Sequence, residues 1–159
     1  MSRFIIFVYG LISYVVGFAG LVFFILFIGG WEFLPLHVDS RMPGSPLYAV
    51  LVNIGLIVLF GLQHSVMARP AFKRQWTKII PPASERSTYV LLTGIIMFVI
   101  CLFWLPIEGY LWQADNQLLQ TVLIVGYASG WLLVVLATFL INHFELFGLQ
   151  QVYSNLRNK

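Results

Sequence analysis

Four apolar runs, at residues 4–30, 46–67, 88–107 and 118–141, leave this 159-residue chain few ways to fold. About 20 apolar residues, rising ~1.5 Å each, cross a hydrocarbon core of roughly 30 Å, so every run is long enough to span a bilayer as a helix. None of the pieces between them reaches the ~40 residues that a separate core normally needs. Composition agrees, since 9% of the residues are charged where a soluble domain carries roughly 25%. The chain is therefore predicted to be all-α: a polytopic membrane helix bundle with four transmembrane helices, a single domain over 1–159 and no soluble domain.

Arg3 precedes the first run as it would in a signal peptide. A signal h-region is only about 7 to 15 residues, however, and no small-residue cleavage site lies before Trp31, so the run reads as a retained anchor. Cys101, the single cysteine, falls inside the third run without a disulfide partner. Burial at that depth suppresses a thiolate, so Cys101 reads as packing and not as a nucleophile.

Charge orients the bundle. Arg69, Lys73, Arg74, Lys78 and Arg86 lie between the second and third runs, Arg3 precedes the first, and Arg157 and Lys159 end the tail. Glu32, Asp39, Glu108 and Asp115 occupy the other two loops, where Arg41 is the only Lys or Arg. The positive-inside rule then puts both termini and the second loop in the cytoplasm. Topology accounts for the basic excess, and no nucleic-acid partner is expected.

Within the first run Gly10, Ser13, Gly17 and Gly20 recur at steps of three and four, which makes a packing seam. That run exceeds a minimal span, so tilt or an interfacial start is expected. The first loop is rich in breakers (Pro35, Pro43, Gly44, Pro46). In the second loop Phe72, Trp76, Ile79 and Ile80 alternate with Lys73, Arg74 and Lys78. This pattern predicts a short amphipathic helix on the membrane surface, begun at Pro70 and stopped by Pro81 and Pro82. Ser84 is placed to N-cap the third helix, with Glu85 in its first turn, and that helix runs toward Pro106. Gly126 and Gly130 in the fourth run form a GxxxG spacing that admits another helix. Beyond Ile141 a stripe of Leu149, Val152, Tyr153 and Leu156 predicts an interfacial tail.

Polar side chains in membrane spans are costly and normally face the bundle or a wet cavity. Asn53 and His64 stand almost three helical turns apart and share a face, and Gln63, His64 and Arg69 close the second helix. Glu85 and Arg86 open the third helix. Thr138, Asn142 and Glu145 share one face at the end of the fourth, with His143 about 100° away. These groups collect at one depth, as a pocket or as helix ends meeting headgroups. Three histidines without a close-spaced ligand pair fall short of a zinc signature, so no metal is expected.

Three stretches carry a resemblance. Gly61-Leu-Gln-His-Ser-Val-Met-Ala-Arg-Pro-Ala-Phe-Lys-Arg74, followed by Pro81-Pro-Ala-Ser-Glu-Arg-Ser-Thr-Tyr-Val-Leu-Leu92, resembles the NnrU-type and nurim-like membrane proteins. Together with Thr138-Phe-Leu-Ile-Asn-His-Phe-Glu-Leu-Phe-Gly-Leu-Gln-Gln-Val-Tyr153, the match extends to the bacterial methanethiol S-methyltransferases. The resemblance implies an enzyme of the bacterial inner membrane that moves a methyl group from S-adenosylmethionine to a small volatile thiol, methanethiol, giving dimethyl sulfide. In the wider group a further C-terminal portion with an Arg-His-Pro segment helps hold the cofactor, and this sequence contains no Arg-His-Pro. The chain is accordingly expected to be the N-terminal part of such an enzyme, inactive or nearly so by itself.

Methyl transfer to a thiol needs a thiolate held in line with the methyl group in a site poor in water. His64, His143, Arg69 and Arg86 are the candidates to favour the thiolate, with Asn142 and Glu145 as orienting or deprotonating partners. Gln63 and Glu85 complete the expected pocket. The alternative is a non-catalytic integral membrane protein of the nurim or NnrU type, in which the same cluster is structural. A transporter is a weak reading, because Asn53 is the only strongly polar mid-span residue. The sequence leaves oligomeric state open.

Overall fold

A computed structural model describes residues 2–109 and 112–157; Lys159, one of the tail charges used for orientation, lies outside them. All its regular structure is helical. In chain order the helices are α1 (Arg3–Ile28), α2 (Pro46–Ala68), α3 (Pro70–Trp76), α4 (Glu85–Phe103), α5 (Gln117–Ile141), α6 (His143–Leu146) and α7 (Leu149–Leu156). Four of them, α1, α2, α4 with the short turn before it, and α5, are long and apolar enough to cross a membrane. The chain is an integral membrane protein.

The small-residue seam of α1 is the centre of the fold. Its covered face is Ile6, Gly10, Ser13, Gly17, Gly20 and Phe27, and α4 runs parallel against it, Gly17 opposite Val90 and Gly20 opposite Gly94. A Cβ on Gly20 would stand 2.6 Å from the Gly94 carbonyl oxygen, and one on Gly94 would stand 2.6 Å from the Gly17 Cα. Backbone approach this close is available only to glycine, and between apolar helices in lipid it supplies the dispersion contact that holds the pair. The first turns of α1 pack on α7, where Gly10 receives the fully buried Val152. Its excess length is thus covered by the tail.

Helix α2 runs antiparallel to α4, pinned at one end by Asn53. That side chain, 5% exposed, donates to the Leu105 carbonyl at 2.7 Å and accepts from the Leu105 N–H at 3.0 Å. The third helix was expected to reach Ile107, but α4 ends at Phe103 and Trp104 is already extended. Leu105 precedes Pro106 and is driven out of the helical region. Asn53 satisfies both backbone groups that the unwinding frees, which explains its place in an apolar span.

Three local expectations need correction. The amphipathic helix stops at Trp76, where Thr77 Oγ1 bonds back to the Lys73 carbonyl at 2.8 Å, so Ile79 and Ile80 lie beyond it. Ser84 stands at the N-cap position of α4 with Glu85 in the first turn, but its side chain makes no capping bond. Winding begins earlier, in a 3-10 turn over Pro82–Ser84 that leaves the Ser84 Oγ buried without a partner. Lastly, Gly126 and Gly130 meet nothing within 4 Å among the described residues. No residue of α5 is buried; it is tied to α1 by the Tyr127 hydroxyl, which donates to the Ile25 carbonyl, and to the loop after α1 by Trp31 edge-on to Tyr127.

The tail packs into the bundle instead of merely lying beside it. Asn142, at φ 121° and ψ 86°, breaks α5 and turns the chain back. Gly148, at φ 85°, brings the backbone against α4, since a Cβ there would stand 2.8 Å from the Ser87 nitrogen. Only glycine meets both conditions.

Candidate functional site

Arg86, Tyr89 and Thr93 follow one another at one-turn spacing along α4, with Glu85 beside Arg86 at its start, and meet α2 on one side and the tail on the other. Arg86 Nε donates to the Leu146 carbonyl at 2.7 Å, and the guanidinium carbon lies 5.3 Å from the centre of the Tyr89 ring. The Tyr89 hydroxyl in turn lies 2.9 Å from both His64 ring nitrogens, and Phe60 stacks on that imidazole with centroids 5.2 Å apart. Thr93 Oγ1 donates to the Tyr89 carbonyl at 2.9 Å and reaches Gln63 Oε1 at 3.3 Å. A continuous chain of contacts therefore runs from Leu146 through Arg86 and Tyr89 to His64.

This chain divides two clefts. One, of about 410 Å³, is polar and is lined by Lys73, Glu85, Arg86, Asn142, Glu145 and Gln151 among others. Lys73 and Glu85 pair across it at 3.6 Å. Asn142 Nδ2 donates to Glu145 Oε2 and to Gln150 Oε1, each at 3.0 Å, and its Oδ1 accepts the Glu145 N–H at 3.3 Å. The bent backbone at Asn142 thus serves to cap α6 and to hold a carboxylate at the mouth. The second cleft, of about 350 Å³, is apolar, with Gly17, Leu21, Met97 and Phe147 around His64 and Tyr89. Arg86 and Leu146 border both.

Of the residues expected from sequence, Glu85, Arg86, Asn142 and Glu145 line the polar cleft, and His64 and Arg86 the apolar one. Gln63 stands behind, connected through Thr93. Arg69 ends α2 as an exposed residue and lines neither cleft. His143 also lines neither. It is 3% exposed, with Nε2 2.9 Å from the Tyr14 hydroxyl and Nδ1 2.8 Å from Thr138 Oγ1, and it stacks on Phe139 at 4.2 Å. Burial lowers its pKa from the ordinary 6.5 and favours the neutral ring. Among the described residues no three His, Cys, Asp or Glu side chains gather as a metal site requires. Sequence reading missed Tyr89, Lys73 and Gln151; Tyr89 could have been found, since it stands three residues after Arg86 on the same helix face.

Comparison with known proteins finds relatives along the whole length of the chain. The chain is 42% identical over 159 residues, all of its length and 62% of the relative's, to a methanethiol S-methyltransferase of Crocosphaera subtropica. It is 40% identical over 159 residues, covering 65% of the relative, to a protein of the same name from Mycobacterium tuberculosis. Nurim of Xenopus laevis is 32% identical over 108 residues, which are 64% of this chain and 38% of that protein. The chain thus spans less than two thirds of the length of these curated relatives. No protein-family model and no solved structure matches it.

Proposed function

Because this chain is related along its whole length to the methanethiol S-methyltransferases, we propose that it supplies the thiol site and one wall of the cofactor site of a membrane-bound S-methyltransferase. The observation that carries this reading is the Arg86–Leu146 wall shared by a polar and an apolar cleft. A reaction between a zwitterionic cofactor and a small apolar thiol needs two such compartments meeting at one point.

The polar cleft fits S-adenosylmethionine by its donor set. Lys73 and Arg86 match a carboxylate, while Glu85, Glu145, Asn142 and Gln151 match an ammonium group and ribose hydroxyls. Gln151 Oε1, buried without a partner, is a further acceptor at this wall. When bound, the cofactor supplies a methyl group on a sulfonium, whose carbon–sulfur bonding pair returns to the cofactor sulfur as the new thioether bond forms.

The apolar cleft takes methanethiol, which is small and membrane-permeant. There His64 accepts the S–H proton, and the Arg86 guanidinium stabilises the thiolate at the wall between the clefts. Apolar neighbours such as Leu21, Met97 and Phe147 exclude water, which strengthens that electrostatic effect and keeps the nucleophile unsolvated. The product is dimethyl sulfide. The protein works in the inner membrane of a bacterium, with both termini and α3 on the cytoplasmic side, where the cofactor is supplied.

The test is dimethyl sulfide release from membranes given methanethiol and S-adenosylmethionine. The chain is expressed alone and joined to the part of the Crocosphaera subtropica relative that it does not match. Dimethyl sulfide above empty membranes in either form supports the reading. None in both, with the intact relative active beside them, overturns it and leaves the non-catalytic nurim-type alternative.

A further inference from the structure

His64 needs more than a place in the cleft to act as a base: one ring nitrogen must keep a free lone pair directed at the substrate. A neutral imidazole carries one proton, and which nitrogen holds it is decided by the partner of the other. Phe60 covers one face of the ring and cannot make that choice. The hydroxyl of Tyr89 is the polar group within reach, 2.9 Å from each nitrogen. Those nitrogens point apart and an equidistant oxygen lies on the line of neither, so a small turn of the ring brings one of them onto the hydroxyl and turns the other away from it.

Tyr89 is itself fixed. It is 9% exposed, its ring lies under the Arg86 guanidinium, and Arg86 is tied to the Leu146 carbonyl. A phenol hydroxyl beside an apolar cleft is destabilising if unpaired, and its only side-chain hydrogen-bond partner among the described residues is His64. Phenylalanine would fill the space equally well, so packing alone gives no reason for the hydroxyl.

We propose that Tyr89 is the positioning residue of the thiol site, accepting the N–H of one His64 ring nitrogen so that the lone pair of the other faces the cleft. The inference rests on the thiol-methyltransferase reading for its purpose, but not for its geometry. During turnover the S–H proton passes to the free nitrogen, the imidazolium is held by the same Tyr89 oxygen, and the sulfur keeps the bonding pair as thiolate. The other lining residues near His64 are uncharged, so Tyr89 and Arg86 are the two ionisable groups that act on it.

The experiment compares wild type with Tyr89→Phe by nitrogen NMR of the histidine-labelled chain in detergent micelles. His64→Gln assigns the signal against His37 and His143. Wild type should show His64 as one dominant tautomer. Tyr89→Phe should shift it to a mixture while leaving His143 unchanged. In the methyl-transfer assay the same variant should lower kcat about tenfold, change the thiol KM less than twofold and move the acid limb of the pH profile. An unchanged His64 tautomer in Tyr89→Phe overturns the inference, whether or not methyl transfer is found. Absence of dimethyl sulfide from all forms strikes the enzymatic reading and leaves the tautomer result to decide Tyr89.

Discussion

Arg86 and Leu146 are sixty residues apart and are joined by a single 2.7 Å hydrogen bond, guanidinium Nε to carbonyl oxygen. This bond docks the tail on α4 and leaves the outer nitrogens of the guanidinium for the two clefts. Lysine has a point charge on a flexible stem and cannot make both kinds of contact. Arg86→Lys should therefore lower methyl transfer at least tenfold, and Arg86→Ala should lower it further and also loosen the tail. The check is activity in membranes beside proteolysis after α5: tail cleavage should accelerate for Arg86→Ala. Wild-type activity in Arg86→Lys would remove the guanidinium from the site.

The α1–α4 seam predicts a contrast between glycines. Gly94→Val forces atoms into the Gly17 backbone and should destabilise by at least ~1–3 kcal/mol. Gly126→Val on α5 meets open space and should stay within about 0.5 kcal/mol of wild type. Thermal unfolding in detergent measures both, and equal losses would mean that the seam does not hold the fold.

His143 predicts a pH dependence of stability. Its ring is kept neutral in the folded chain, with its pKa lowered by burial. The unfolded chain binds a proton near the ordinary value of 6.5, so it holds more protons than the folded chain as pH falls below that value. Stability contributed by the neutral ring is complete above 6.5 and declines on acidification. His143→Gln should flatten the dependence between about pH 7.5 and 5. A wild-type unfolding midpoint that is flat or rises on acidification would contradict this.

Much of this architecture can be seen in the residue order. The spans follow from length and apolarity, and the Gly10, Ser13, Gly17, Gly20 seam from helical spacing, because both are local properties. The partner of Asn53 was not legible, since Leu105 lies 52 residues away and exposes its backbone only where α4 unwinds. The position of Ser84 was legible but its missing capping bond was not, because a proline pair can start a turn as readily as it stops one. At the site, the convergence of Glu85, Arg86, Asn142 and Glu145 was foreseen from shared depth. The separation of His143 from His64 was not, because the sharp bend at Asn142 rotates the tail and carries His143 to Tyr14.

Orientation is open to a labelling test. In a Cys101→Ala background, single cysteines at Lys78 and Glu108, both exposed, should react with an impermeant reagent from opposite sides. Lys78 should require an opened cytoplasmic face. Reaction of both from one side would contradict the proposed topology.

The central claim is that His64 and Arg86 act together on a thiol at the wall between two clefts. Its most direct test uses S-adenosylmethionine with a deuterated methyl group and measures the headspace over membranes given methanethiol, with the chain joined to the unmatched part of the Crocosphaera subtropica relative. The account predicts dimethyl sulfide bearing one labelled methyl, reduced by about 10² or more in His64→Ala and in Arg86→Ala at unchanged membrane expression. Labelled product at wild-type rate in both variants would contradict it.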